Sequence, residues 1–298
     1  MMAKIQAWSL ANAPGEYRWA EMDLPGPGPG QVVVDVDVVA SSLNHLDLWL
    51  RAGLPAPKVL PHVPGCDGAG VVGALGPGVT RWQVGDEVVI NPSFACGHCP
   101  ECLAGRSVFC PDWGIMGEHG WGAHGASVVV GEANLVVRPS GRSWEEAGAY
   151  GLCGLTAYRM LRRARLGPGE TLLVIGAGGG VATAALELGQ RMGARVFATS
   201  RDPAKRARAV QLGALDGELD ADSVSTVVDR PCRPGEHPDR MSMPVGLWSH
   251  EINHSFEQVS VLVDQSRTAG SLERVGRPPP GRRLDAHVPM LPRGRNRP

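Results

Sequence analysis

Four cysteines fall within fifteen residues, CGHCPECLAGRSVFC (96–110), and no other feature narrows the possible folds of this chain as much. Cys96, Cys99, Cys102 and Cys110 are separated by Gly97, Pro100 and Gly105 and followed by Pro111, so one short loop can turn around a single ion. A disulfide staple is the competing reading. The odd total of seven cysteines and the start MMAKIQAWSL, which lacks the basic region and long apolar run of an export signal, argue against it. The expectation is a structural zinc. Four thiolates complete a tetrahedron and leave no open position, so the segment 92–113 is a folding device and not a reacting centre.

The rest of the chain reads as an ordinary cytoplasmic protein. At 298 residues it has room for two domains, and 29 basic against 30 acidic residues leave no field that favours nucleic acid or an anionic membrane. Thr171 to Leu186 is uncharged, but it is too short and too rich in glycine for a membrane span. Short alternating runs occupy the first 140 residues: QVVVDVDVVA (31–40), GAGVVGALG (68–76), VGDEVVI (84–90) and ASVVVGEANLVV (126–137). They predict half-buried strands closing into a β-barrel. Near residue 143 the period changes. Ser143 and Glu146 form a capping box, and WEEAGAYGLCGLTAYRMLRRA continues as a bridging helix interrupted at Gly151 and Gly154.

From Glu170 the order becomes strand, glycine turn, helix, strand, helix. In GAGGGVA (176–182), Gly176 suits the tight turn, Gly178 and Gly179 allow backbone to approach a pyrophosphate, and Ala182 suits close helix-to-strand packing. A dinucleotide is therefore expected here, with a structural turn as the alternative. At the end of the next strand stand Thr199, Ser200 and Arg201, with Lys205 one turn on, where an NAD site normally carries a carboxylate. These residues suit a 2′-phosphate, so NADP(H) is expected ahead of NAD; a solvated cationic surface is the bland alternative.

A barrel, a four-cysteine lobe and a dinucleotide unit in that order resemble the medium-chain dehydrogenase/reductase superfamily, whose first domain is GroES-like. LNHLDLWLRAG (43–53), PGCDGAGVV (64–72), VGDEVV (84–89), LTAYRML (155–161) and GAGGGVA carry the resemblance over about residues 1–229. It implies a GroES-like domain over 1–140, a truncated Rossmann NADP-binding domain over 141–229, and cofactor contacts from Thr156, Gly176, Gly178, Gly179, Gly180, Val181, Ser200, Arg201 and Lys205. It also implies a small-molecule substrate and a homodimer or homotetramer.

The zinc alcohol dehydrogenases of that superfamily hold a second, catalytic zinc, whose ligand positions are not kept here. Asn44 stands at the cysteine position, Cys66 then Asp67 at the histidine and glutamate positions, and Leu152 at the third, with Cys153 one place off. Loss of that Lewis acid favours an acceptor that already delocalises negative charge. The resemblance then points to the quinone oxidoreductase branch, with Asn44 holding the acceptor oxygen or a water and Asp47, Cys66 and Asp67 lining the same cleft. Capping of a helix start is the other role open to Asn44 and Asp47. Zinc-dependent alcohol oxidation and a catalytically silent nucleotide-binding remnant are the alternative functions. His45, His62, His119 and His124 show no spacing that singles out an acid, and Trp49 is read as a pocket wall or core filler.

TVVDR (226–230) reads as the next Rossmann strand, after which the pattern fails. Residues 230–298 hold 11 arginines and 10 prolines without βαβ periodicity, and are read as an irregular or disordered tail. A shifted reading frame would produce it: Arg-Pro-Cys at 230–232, moved by one base, can encode Gly-Pro-Ala, the kind of glycine turn the family places there.

Overall fold

A computed structural model of the chain describes residues 3–215 and 260–264. In chain order the strands are β1 (Ala3–Leu10), β2 (Tyr17–Leu24), β3 (Gln31–Ala40), β4 (Ala69–Leu75), β5 (Glu87–Ile90), β6 (Ser93–Phe94), β7 (Gly114–Ile115), β8 (Ser127–Gly131), β9 (Leu135–Val137), β10 (Thr171–Ile175), β11 (Arg195–Thr199) and β12 (Ser260–Asp264). The helices are α1 (His45–Arg51), α2 (Pro100–Leu103), α3 (Trp144–Gly148), α4 (Gly151–Arg163), α5 (Gly180–Arg191) and α6 (Pro203–Gln211).

The first half is β-rich, as its alternating runs require. Strands β8, β3, β4, β5 and β9 form one antiparallel sheet in that order, and β1 pairs with β2 in a separate ribbon. Val32, Val34, Val72, Val88, Ile90, Val128 and Leu135 turn inward to one core, which Trp82 closes by donating from Nε1 to the Glu132 carbonyl at 3.0 Å. Among the described residues the ladder does not close into a barrel. The ribbon is instead tied to loops by single bridges, Ala7 to Gly125 and Leu10 to His62. The run 126–137 is two strands, because Glu132–Asn134 make a 3₁₀ turn between β8 and β9.

The expected bridging helix is also two helices. Ser143 and Glu146 cap α3 as read, with Glu146 N–H to Ser143 Oγ at 3.2 Å and Ser143 N–H to Glu146 Oε2 at 3.1 Å. The break falls at Ala149–Tyr150, the second helix begins at Gly151, and it runs through Gly154 without interruption. Restarting at Gly151 directs the first turn of α4 at Asp67: a Cβ on Gly151 would lie 2.7 Å from Asp67 Oδ1.

The second half holds a parallel pair, β10 and β11, in register from Thr171 opposite Arg195 to Ile175 opposite Thr199, with α5 as the crossover. Its core gathers Leu161, Leu172, Val174, Ala182, Ala185, Leu186 and Val196. The third strand of this sheet is β12, antiparallel on the other side of β10. It comes from within the segment 230–298, where the sequence reading placed no strand; SVLVD is a short β-branched run that the arginine and proline content of its surroundings masks. The strand read at 226–230, the proposed frame shift and the remainder of that segment lie outside the described residues.

Helix α5 sits on β10 through Gly189, where a Cβ would meet Leu172 Cδ2 at 2.4 Å. Gly189→Leu is therefore expected to destabilise the protein by about 1–3 kcal/mol through overpacking. Urea unfolding followed by circular dichroism checks this; an unchanged midpoint would mean that helix and strand are not in contact there.

Candidate active site and metal centre

Short-range geometry builds the four-cysteine lobe. Gly97 and Gly105 take φ of +79° and +73°, where an L side chain is strained, and between them Pro100 opens α2. Cys99 caps that helix, its sulfur accepting from Cys102 N–H at 3.5 Å. Further N–H donors face the other sulfurs: Cys99 to Cys96 Sγ at 3.3 Å, Cys96 to Cys110 Sγ at 3.4 Å and Asp112 to Cys110 Sγ at 3.3 Å. N–H groups of His98 and Cys99 draw the Cys96 thiol down to about 6. All four sulfurs lie within 4.8 Å of one another, and Cys96 and Cys102 are 3.9 Å apart. Zinc–sulfur bonds of about 2.3 Å in a tetrahedron put sulfurs about 3.8 Å apart, so the cluster has the size and the soft donors that zinc requires.

A second polar group lies where β4, α1 and α4 meet. Asp67, buried just before β4, is its centre. Its Oδ2 accepts from Ser42 Oγ at 2.7 Å and from Asn44 Nδ2 at 2.9 Å, while Oδ1 accepts the Leu152 N–H at 2.5 Å from the first turn of α4. Cys153 completes the set, its thiol donating to Asn44 Oδ1 at 3.6 Å. A Cβ on Gly180, the first residue of α5, would lie 2.7 Å from that same sulfur. Both residues weighed for the third position thus arrive at one place, Leu152 through its backbone and Cys153 through its side chain. Ser42 was not singled out, and nothing in SSLNH marks it; only the fold of the β3–α1 connection brings it to Asp67.

The other expected cleft residues divide. Asp47 is buried and takes the Asn44 N–H at 2.7 Å and the Gly65 N–H at 3.2 Å, so its carboxylate caps α1 and pins the loop before Cys66. Burial raises its carboxyl above the usual range. Cys66 is fully enclosed with Leu46 and Leu50, beneath Trp49, Ile115 and Leu152. Burial first, then the nearby Asp47 and Asp67 charges, push its thiol well up, so it packs as a small apolar side chain. Among the described residues, the four-cysteine cluster is the one group of three or more Cys, His, Asp or Glu whose ligand atoms converge. Cys66, Asp67 and Asn44 do not fit a metal: the Cys66 thiol is enclosed, and Cys66, Asp67 and Cys153 do not bring their ligand atoms together as the four-cysteine cluster does.

His62, His119 and His124 serve the scaffold. His62 Nε2 donates to the Gly117 carbonyl at 2.9 Å, His124 Nε2 to the Ser42 carbonyl at 3.1 Å, and His119 Nδ1 accepts from Ile115 N–H at 3.2 Å. His45 is exposed.

The glycine turn joins β10 to α5. Gly176 and Gly178 have φ of +84° and +126°, Gly179 is the N-cap, and Gly180 and Val181 open the helix. Among the described residues, no atom beyond its chain neighbours lies within 4 Å of a Cβ placed on Gly179, whereas one on Gly178 would meet the Lys205 stem at 2.6 Å. Lys205 therefore reaches across the turn from α6. That helix starts with Asp202, whose Oδ1 accepts from Ala204 N–H at 2.8 Å. Ser200 offers its hydroxyl to Asp202 N–H and its carbonyl to Arg206, and Arg201 is exposed. Thr156 lies in the second turn of α4.

Residues 28–140 match the family described as alcohol dehydrogenase GroES-like domain. The chain is 37% identical over 186 residues to a crotonyl-CoA carboxylase/reductase of Cereibacter sphaeroides, covering 59% of this chain and 43% of that one. It is 36% identical over 182 residues to an alcohol dehydrogenase of Geobacillus stearothermophilus, covering 60% and 53%. Among solved structures, an NAD-dependent alcohol dehydrogenase superposes with a TM-score of 0.66 at 45% identity, over 70% of this chain and 62% of that one. The chain spans about half the length of the curated relatives it matches.

Proposed function

The chain belongs to the medium-chain dehydrogenase/reductase superfamily, and from that premise we propose an NADP(H)-dependent oxidoreductase that reduces a quinone, an enone or a related carbonyl compound. One observation carries the reading: Cys153 touches Gly180 at the head of the glycine-turn helix and, on its other side, the Asn44–Asp67 group. A polar site and a dinucleotide turn thus share one wall.

A reduced nicotinamide supplies a hydride when bound. The turn 176–180 and the start of α5 offer backbone N–H groups and a positive helix end to its pyrophosphate. Asn44 Nδ2 has two hydrogens, and Asp67 takes one; the other is the donor for the substrate oxygen, on which negative charge grows as hydride arrives at carbon. An enone or quinone spreads that charge and manages with a hydrogen bond in place of a metal. The enolate or hydroquinone oxygen then takes its proton from solvent.

The division at 140/141 belongs to this proposal and is supported by two separate apolar cores. So do the zinc held by Cys96, Cys99, Cys102 and Cys110, a cytoplasmic location and a homodimer or homotetramer. No described helix is long and apolar enough to cross a membrane. The name alcohol dehydrogenase borne by several relatives favours a second reading, alcohol oxidation with a catalytic zinc. Metal analysis separates the two: one zinc per chain is expected here, and two would favour the alcohol dehydrogenase. NADPH oxidation against a panel of quinones and cyclic enones tests the activity, and NADPH binding without turnover on any of them would sink it.

Cofactor choice is tested at Arg201. Arg201→Ala is expected to weaken NADPH far more than NADH, because a charge-assisted contact to the 2′-phosphate has no counterpart in NADH. The preference should shrink roughly tenfold or more, equivalent to about 1.4 kcal/mol. Fluorescence titration with both cofactors measures it, and equal weakening of the two would make Arg201 surface charge.

A further inference from the structure

We propose that Asp67 is a positioning residue: it locks the side-chain amide of Asn44 in one orientation, Nδ2 toward Asp67 and Oδ1 toward Cys153, and this hydrogen-bonded network stands in place of a catalytic metal. The proposal rests on the reading of Asn44 as the donor to substrate oxygen.

The lock follows from the donor and acceptor inventory. A carboxylate only accepts, so the atom of Asn44 that lies 2.9 Å from Asp67 Oδ2 is the nitrogen. The amide oxygen then faces Cys153, whose thiol donates to it at 3.6 Å. Asp67 is itself held still. Ser42 Oγ shares its Oδ2, and the Leu152 N–H takes Oδ1 with the positive end of α4 behind it. Gly151 has no side chain to keep the helix end away. A flipped Asn44 would set its oxygen against the carboxylate and would turn an acceptor, not a donor, to the space where a substrate oxygen arrives. Asp67 therefore acts through Asn44 and needs no contact with the substrate. Because Cys66 is enclosed and the ligand atoms of Cys66, Asp67 and Cys153 do not come together, the group presents no ligand set to a metal.

The orientation can be read without turnover, from the alkylation rate of Cys153. In Asp67→Asn the Leu152 N–H still needs an acceptor and keeps the amide oxygen. The new Nδ2 then faces Asn44, which must turn its own oxygen to it and its Nδ2 to Cys153. An N–H donor in place of an acceptor favours the thiolate. Iodoacetamide labelling of Cys153, followed by peptide mass spectrometry on the full chain, should speed up roughly three- to tenfold, since reactivity rises about threefold for each pKa unit lost. Asn44→Asp should act in the opposite sense, because it puts a second acceptor-only group against the thiol and slows labelling. Buried Cys66 is the internal control and should stay unlabelled in both variants.

Because loss of the Asp67 charge by itself also favours the Cys153 thiolate, the lock is the part of the acceleration that needs the amide. Asp67→Asn should speed labelling several-fold more in the parent than in an Asn44→Leu background, with Cys66 silent, and equal acceleration in the two would overturn it. Unchanged rates, the same sign in both variants, or Cys66 labelling alongside Cys153 would overturn it, the last by showing that the substitutions merely loosen the fold. Absence of NADPH oxidation in the parent protein would count against the proposed activity and would leave this result standing.

Discussion

Cys99→Ser is expected to weaken the hold of the 96–110 lobe on zinc and lower the melting temperature, while leaving the local helix cap in place. Serine is a good N-cap, so the bond to Cys102 N–H survives in kind. What is lost is one thiolate in four. Structural zinc contributes apparent stabilisation of about 10–16 kcal/mol in small domains, so a quarter share is on the order of 3 kcal/mol. At about 2–4 °C per kcal/mol for a protein of this size, melting should fall by roughly 6–12 °C. Atomic absorption and calorimetry on the purified variant read both effects. Full zinc occupancy with an unchanged melting temperature would show that Cys99 is no ligand. Activity should decline only as far as the fold loosens, since Cys96, Cys99, Cys102 and Cys110 leave no position open for a substrate.

Asn44→Leu should have the largest effect on turnover. It keeps the bulk and removes the one donor assigned to the acceptor oxygen, and loss of a single such donor costs roughly 10²–10³ in kcat. Zinc content and NADPH affinity should hold, because neither the cysteine lobe nor the glycine turn contacts this side chain through a hydrogen bond. Stability should fall by about 1–3 kcal/mol, as Asp67 and the Cys153 thiol each lose a partner. A kcat within threefold of the parent enzyme would remove Asn44 from the chemistry and leave it the capping residue of α1.

The features legible in the sequence are those made by neighbours along the chain. The cysteine lobe is closed by residues no more than fourteen apart, and each spacer glycine or proline announces its turn. The glycine turn, α5, β11 and the Asp202 cap follow one another directly, so periodicity and capping rules suffice. The same rules failed where composition was averaged over too long a window, as at β12. They also failed where an interruption was assigned to glycine itself: α3 and α4 part at Ala149–Tyr150, because the start of α4 is drawn to a carboxylate from another element.

The candidate site depended on the tertiary structure for the same reason. Asn44 and Asp67 were named from the resemblance, but Ser42, the Leu152 N–H and Cys153 converge on them from up to 109 residues away, and no local pattern encodes such a meeting. Counting along a helix misleads by one residue when a backbone N–H and the next side chain serve the same site. The sequence by itself determined the four-cysteine lobe, the strand–glycine turn–helix unit and their order, since these are set by short-range turn chemistry and periodicity. Only the packing of β4, α1 and α4 decided that Asp67 takes donors at both oxygens, that Cys66 is buried, and that an amide stands oriented beside the glycine turn. Burial and long-range hydrogen bonding belong to the folded arrangement and not to any stretch of residues within it.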